Sequence, residues 1–224
     1  MSATDRCVPV VFDVETVGGP GRVHLTAPTR ARGSVIVGHG AGGGLGAVDI
    51  QAAAAALTRE GWAVALVEQP WRVAGRRLAG APGPLDAAWV PIVQALRARG
   101  GALGRVGGPL VLAGRSAGAR VACRTAAELG ADAVLCLSFP LHPPGRPDRS
   151  RHPELALVTG SSRRVAAVQG EKDPFGTPGE LTAYLDEVFP VPGTHTIPRG
   201  SAQAVGRAAR EFVASLGAGT AGRE

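Results

Sequence analysis

The sequence predicts an α/β fold. It is a three-layer sandwich with a mostly parallel sheet, an N-terminal antiparallel hairpin, helices on both faces and no cap domain. Three patterns predict it. Residues 8–15 and 21–27 alternate in polarity on either side of the turn cluster Gly18-Gly19-Pro20-Gly21, as paired strands do. After them, short apolar runs alternate with stretches of helical character, which implies parallel strands joined by crossover helices. Glycine-rich or polar clusters then follow the strands, at the carboxyl edge where such sheets bind ligands.

The elements follow in order. Ser34–Val37 is a short apolar strand running into Gly38-His39-Gly40-Ala41-Gly42-Gly43-Gly44. A helix is predicted from about Ala47 to Arg59, stopped by Gly61. Trp62–Val67 is the next strand, and it ends in Glu68-Gln69-Pro70-Trp71-Arg72. Residues 73–84 read as a Gly/Pro/Arg loop, and Asp86–Arg99 as a helix closed by Gly100-Gly101. The strand at 109–113 leads into a helix to Leu129, with Gly130 as its cap. On that helix Arg120, Arg124 and Glu128 form a polar stripe opposite Val121, Ala122, Ala126 and Leu129. Ala133–Leu137 is a strand, and Phe139–Pro153 a Pro- and Arg-rich loop. Val165–Val168 is a strand, Glu180–Val188 a helix, Phe189–Val191 a last strand and Ala202–Leu216 an amphipathic closing helix.

Bulk composition narrows the function classes. The 224 residues, 45% hydrophobic and 19% charged, suit one globular domain over residues 1–216, with 217–224 as a disordered tail. No apolar run reaches membrane-span length, and the N-terminus lacks a signal-peptide pattern, so a cytoplasmic protein without membrane partners is expected. Cys7, Cys123 and Cys136 are odd in number and unpatterned, which suggests free thiols in a reducing compartment. The net charge of +6 does not point to nucleic acid. The basic residues, all Arg except Lys172, are dispersed, with no aromatic-interleaved patch. No cofactor is expected, and the oligomeric state is left open between monomer and homodimer.

The chemistry is concentrated in Pro109–Gly118, PLVLAGRSAG. This is a strand, a sharp turn and a helix, with Ser116 on the turn inside G-x-S-x-G. Small neighbours let the serine backbone take a strained conformation that holds the hydroxyl above the sheet, at a helix N-terminus. A serine hydroxyl needs a base, and the base an orienting carboxylate. Of the five histidines, His24 lies in the hairpin, His39 in the first glycine loop, and His142 and His152 in the Pro-rich loop. His195 follows the last strand, and Asp173 the strand before it. The chain order Ser116, Asp173, His195 is the order that an elbow-type hydrolase requires.

The first glycine loop has two readings. Gly38-His39-Gly40-Ala41-Gly42-Gly43 satisfies G-x-G-x-x-G, and Glu68 ends the next strand where a ribose-binding acid would sit, so a dinucleotide site fits the pattern. That reading leaves Ser116, Asp173 and His195 without a role. The rival reading makes His39–Gly43 an oxyanion loop, with the N–H groups of Ala41 and Ala117 as donors and His39 bracing the loop through its ring. A tight strand-to-helix turn alone would also use these glycines.

With these residues in hand, the chain resembles the α/β-hydrolases, specifically the small cap-less members like dienelactone hydrolase. The resemblance rests on VIVGHGAGGG at 35–44, EQPWRVAGRR at 68–77, FPLHPPGRP at 139–147, LAGRSAGAR at 112–120, QGEKDPFG at 169–176 and THTIP at 194–198. It implies Ser116 as nucleophile, Asp173 as acid, His195 as base, and Ala41 and Ala117 as oxyanion donors. Dienelactone hydrolase itself uses a cysteine nucleophile, so its substrate does not transfer.

The expected activity is that of a serine esterase or thioesterase on a small soluble ester, thioester or amide, through an acyl-enzyme. A catalytically silent fold used as a binding module is the alternative. His39, Gly42, Gln69, Trp71, Arg72 and His142 are candidate pocket residues. One arginine among Arg72, Arg76 and Arg77 could bind an acidic group on the substrate, or the cluster could pair with local acids such as Glu68. Arg115, between Gly114 and Ser116, is expected to be tied to a neighbouring carboxylate or carbonyl.

Overall fold

The computed structural model describes residues 9–77, 81–161 and 163–217. Eight strands form one sheet in the order β1-β2-β4-β3-β5-β6-β7-β8. They are β1 (Val10–Val14), β2 (Gly21–Thr26), β3 (Ser34–Gly38), β4 (Ala63–Glu68), β5 (Leu110–Arg115), β6 (Ala133–Leu137), β7 (Arg164–Gly170) and β8 (Glu187–Val191). The hairpin β1–β2 joins the sheet antiparallel to β4, and every pairing from β4 across to β8 is parallel. The predicted hairpin, strands and mostly parallel sheet are therefore present.

Side-chain pattern follows position. β2 alternates between buried and half-buried residues because only one of its faces is covered. The central strands β3 and β6 are buried throughout and read in sequence as unbroken apolar runs. On one face α1 (Val48–Arg59) and α7 (Ala202–Gly217) enclose Ile50, Leu57, Val205 and Phe212. On the other lie α3 (Pro82–Arg97), α4 (Ala117–Thr125) and α5 (His152–Thr159), with Trp89, Ile92, Val121 and Leu155. Two further helices are short: α2 (Pro70–Val73) and α6 (Pro178–Leu181).

Several boundaries differ from the sequence reading. The helix expected over Glu180–Val188 is instead α6 followed by a turn and β8. A capping box between Thr177 and Glu180 starts α6 at Pro178, and Glu187 is drawn into β8 by an ion pair with Arg164 on β7. Pro190 is tolerated because β8 is an edge strand. Helix α3 begins four residues before Asp86, with Pro82 at a helix-starting position where its missing N–H costs nothing. Helix α4 ends at Thr125 rather than Leu129, and irregular turns lead on to Gly130. Helix α7 runs one residue past Leu216 to Gly217, and the tail predicted beyond it lies outside the described residues, as do Cys7 and residues 78–80 of the arginine loop.

The Pro-rich segment expected to be loop throughout contains a single 3-10 turn at Pro147–Arg149, and α5 starts inside its end at His152. Helix α5 lies on the flank of α4 and forms no cap over the sheet edge. The stripe predicted on α4 holds it there. Arg120 makes a two-pronged bond to Glu154 at 2.8 and 2.7 Å. Arg124 bridges Glu154 at 3.0 Å and Asp86 of α3 at 2.7 and 2.6 Å. Removing this shared acceptor with Glu154→Ala is expected to lower the unfolding free energy by about 2 kcal/mol, the usual value of hydrogen bonds to charged groups. The measurement is a lower urea midpoint at an unchanged slope.

Candidate active site

The turn after β5 is the most constrained backbone in the structure. Ser116 has φ 53° and ψ −112°, outside the regions a side chain favours. The two glycines of the motif explain why it can be held there. A Cβ on Gly114 would lie 2.2 Å from the Gly118 carbonyl carbon, and one on Gly118 would lie 2.6 Å from the Gly38 carbonyl oxygen. Helix α4 thus packs backbone to backbone against the ends of β5 and β3. The Ser116 N–H is fixed by the Leu137 carbonyl at 2.9 Å.

The structure brings the three predicted polar residues into one chain of hydrogen bonds. His195 Nε2 lies 2.9 Å from Ser116 Oγ, and His195 Nδ1 lies 2.9 Å from Asp173 Oδ2. Asp173 is 1% exposed, and its carboxylate can only accept, so Nδ1 carries the proton and Nε2 faces the serine hydroxyl as an acceptor. Each member comes from the carboxyl end of a different strand: Ser116 after β5, Asp173 after β7 and His195 after β8.

Residues that the sequence reading did not single out complete the support. Gln169, fully buried on β7, donates through Nε2 to Asp173 Oδ2 at 3.0 Å and also to the carbonyls of Phe139 and Gly176. Its Oε1 accepts the Phe139 N–H. Asp173 Oδ1 accepts the Phe175 N–H at 2.9 Å, and the Phe175 ring lies 4.3 Å from the His195 ring. The one hint in the sequence is a polar residue, Gln169, directly after the apolar run Val165–Val168.

His39 braces the glycine loop. The Gln69 N–H donates to Nε2 at 3.1 Å, which leaves Nδ1 to donate to the Gly40 carbonyl at 2.9 Å. Burial pushes its pKa below the ordinary histidine value, so the ring is held neutral. Trp71 meets it edge-on at 5.2 Å. A crevice of only about 10 Å³ is lined by His39, Ala41, Gln69, Trp71 and Ala117. Gln69 Oε1 is buried there without a hydrogen-bond partner. Among the described residues neither the Ala41 nor the Ala117 N–H has an acceptor. Gly42 sits on the exposed outer side of the loop.

Two candidates lie elsewhere. The His142 ring turns away to Glu180 Oε1 at 3.0 Å and the Pro143 carbonyl at 2.9 Å, which raise its pKa and occupy both nitrogens. Arg72 makes no ion pair among the described residues; Glu68 faces His24 instead. The Arg72 guanidinium lies against Gly44, on the rim of a groove of about 650 Å³ between α1 and the hairpin face of the sheet. The groove lies behind the glycine loop, away from the Ser116 hydrogen-bond chain.

A family profile for the alpha/beta hydrolase domain matches residues 31–200. The chain belongs to the α/β-hydrolase family. Three solved structures share its fold. One is a lidless α/β serine hydrolase from Xanthomonas campestris, 20% identical, over 95% of this chain and 97% of that one, TM-score 0.68. Another is a dienelactone hydrolase from Anabaena variabilis, 18% identical over 94% and 99%, TM-score 0.72. The third is carboxyl esterase 2 from Tuber melanosporum, 17% identical over 96% and 89%, TM-score 0.65. No curated protein sequence matches this α/β-hydrolase. No helix among its described residues is long and apolar enough to cross a membrane.

His39 gives a pH-dependent expectation. Because its folded pKa is depressed, the unfolded chain binds the proton first, and the stability from the neutral ring is complete above about pH 6.5 and lost as pH falls below it. His39→Ala should cost about 1–3 kcal/mol at pH 8. The gap from wild type should narrow at pH 5, as measured by urea unfolding at both pH values.

Proposed function

We propose that this protein is a serine hydrolase that cleaves small, soluble carboxylic esters, thioesters or amides through an acyl-enzyme. The observation that carries this reading is the unbroken Ser116–His195–Asp173 hydrogen-bond chain, 2.9 Å at each link, on a strained elbow. Ser116 Oγ attacks the substrate carbonyl carbon while His195 Nε2 takes its proton. Asp173 keeps the imidazole in the right tautomer and stabilises the imidazolium. The tetrahedral oxyanion accepts from the N–H groups of Ala41 and Ala117, which have no competing acceptor. As the carbonyl re-forms, the bond to the leaving group breaks and the imidazolium proton passes to that group. His195 then takes a proton from water as the water attacks the acyl-enzyme, and passes that proton to Ser116 Oγ as the ester bond to the serine breaks.

The ester class is favoured by the named activities of two structural neighbours, a dienelactone hydrolase and a carboxyl esterase. A small soluble substrate is favoured because α5 lies on the flank of α4 and the crevice beside Ser116, among the described residues, is only about 10 Å³. Arg72, without an ion pair among the described residues and on the rim of the groove behind the glycine loop, would favour substrates whose acidic group extends that far.

Fluorophosphonate labelling tests the reading. The wild type should be labelled, and Ser116→Ala should abolish labelling. No labelling of the folded wild type would instead favour a silent fold that only binds. On short aryl esters, Asp173→Asn should lower kcat by about 10³- to 10⁴-fold. Arg72→Ala should lower kcat/KM for acidic esters by about tenfold, the value of one exposed charge-assisted bond, and spare neutral esters. Equal rates on both ester types would remove Arg72 from substrate binding.

A further inference from the structure

Arg115 fills the variable place between Gly114 and Ser116, and its side chain touches three other elements. Its Nη2 donates to the main-chain carbonyl of His195 at 2.7 Å. Its Nε lies 3.2 Å from Asp49 Oδ2. Its Nη1 is pressed against the glycine loop, since a Cβ on Gly40 would lie 2.9 Å from it. The pair is largely withdrawn from water, with the Arg115 side chain 13% exposed and that of Asp49 2%. Asp49 stands in the first turn of α1, just beyond the glycine loop. It is itself fixed: Oδ1 accepts the Ile50 N–H at 2.9 Å and Oδ2 the Ser138 hydroxyl at 3.4 Å. Ser138, at the end of β6, has φ 50°, and with Ser116 it is one of two non-glycine residues of positive φ among those described.

We propose that the buried Asp49–Arg115 pair is the positioning device of the site. It sets the main chain of His195, and the glycine loop with it, at a fixed distance from Ser116. The proposal rests on the hydrolase reading of Ser116. Both ring nitrogens of His195 are engaged, by Asp173 and Ser116, so its placement depends on the backbone beneath it. Near His195 the Lys172 N–H holds the Gly193 carbonyl at 2.9 Å, and among the described residues only Arg115 holds the His195 carbonyl.

A buried ion pair is a poor device for stability alone, because apolar side chains of the same volume serve as well or better. What a guanidinium adds is direction. Its nitrogens form a rigid planar fork, so anchoring Nε on Asp49 dictates where Nη1 and Nη2 point. Arg115 is also joined to Ser116 by a peptide bond. The residue that grips the base is therefore covalently tied to the nucleophile. Arg115 touches no reacting atom and acts only through His195 and the loop.

The test uses Arg115→Lys, Arg115→Met and the double variant Asp49→Asn/Arg115→Met, which leaves no unpaired buried charge. With folding confirmed by cooperative unfolding, the double variant should label with fluorophosphonate about 10- to 100-fold more slowly, the cost of a misplacement of order 1 Å. On a short aryl ester the loss should fall on kcat, with KM held within about threefold, because a positioning defect acts after binding. Lysine keeps the charge but not the fork, so Arg115→Lys should fall closer to Arg115→Met than to wild type.

The far-downfield proton resonance of His195 Nδ1–H, assigned by its loss in Asp173→Asn, should broaden or vanish in both methionine variants. A folded double variant with wild-type labelling and a sharp resonance would overturn the proposal. So would an Arg115→Lys enzyme of wild-type rate. If the wild type takes no label at all, the hydrolase reading fails. The resonance needs no turnover and would still decide whether the pair orders His195.

Discussion

The backbone contact between α4 and the ends of β5 and β3 sets the geometry on which the rest depends. Gly118 meets the Gly38 carbonyl and Gly114 meets the Gly118 carbonyl at distances that exclude any Cβ. Chain packed this closely cannot relax, so Ser116 remains in a conformation costing about 1–3 kcal/mol elsewhere in a protein. The same contact brings the first glycine loop beside the elbow: a Cβ on Gly40 would lie 3.4 Å from that of Ser116. Two loops far apart in sequence thus lie side by side because the strands beneath them are neighbours in the sheet.

Polar groups around this contact are satisfied almost entirely by fixed protein partners. Asp173 receives His195, Gln169 and the Phe175 N–H. His39 is spent on Gln69 and Gly40. Networks saturated in this way hold one arrangement, because any shift leaves a buried donor or acceptor unmatched. The described exceptions include Gln69 Oε1, Trp89 Nε1 and the two N–H groups of Ala41 and Ala117. Gln69, Ala41 and Ala117 all line the crevice beside the elbow.

Much of this architecture could be read from the chain, for physical reasons. Buried central strands leave unbroken apolar runs, and the elbow leaves glycines wherever backbones touch. The order Ser116, Asp173, His195 then follows from strand order alone. Helix α5 is harder to read because its sequence, HPELALVT, scatters apolar residues around the helix rather than along one face. Leu157 stays exposed while Leu155 and Val158 are buried, so no clean stripe marks a face. The α6–β8 boundary depended on a capping box and on an ion pair to a neighbouring strand. Gln169, Phe175 and Asp49 act through contacts across the fold that no local pattern carries. The arginine between Gly114 and Ser116 could be expected to find a carboxylate or a carbonyl. Only the structure shows that it takes both, and that the carbonyl belongs to His195.

The resting place of α5 has a kinetic consequence. Glu154, Arg124 and Asp86 bolt this helix to α4 and α3, beside the sheet edge rather than over it. Enzymes with moving lids often spend most of each cycle opening and closing them. Here substrate and product would exchange directly with bulk solvent, and turnover would follow bond making and breaking at the carbonyl. While acyl-enzyme formation limits turnover, leaving groups of different acidity would then be told apart in the observed rate, where a gated enzyme would level them.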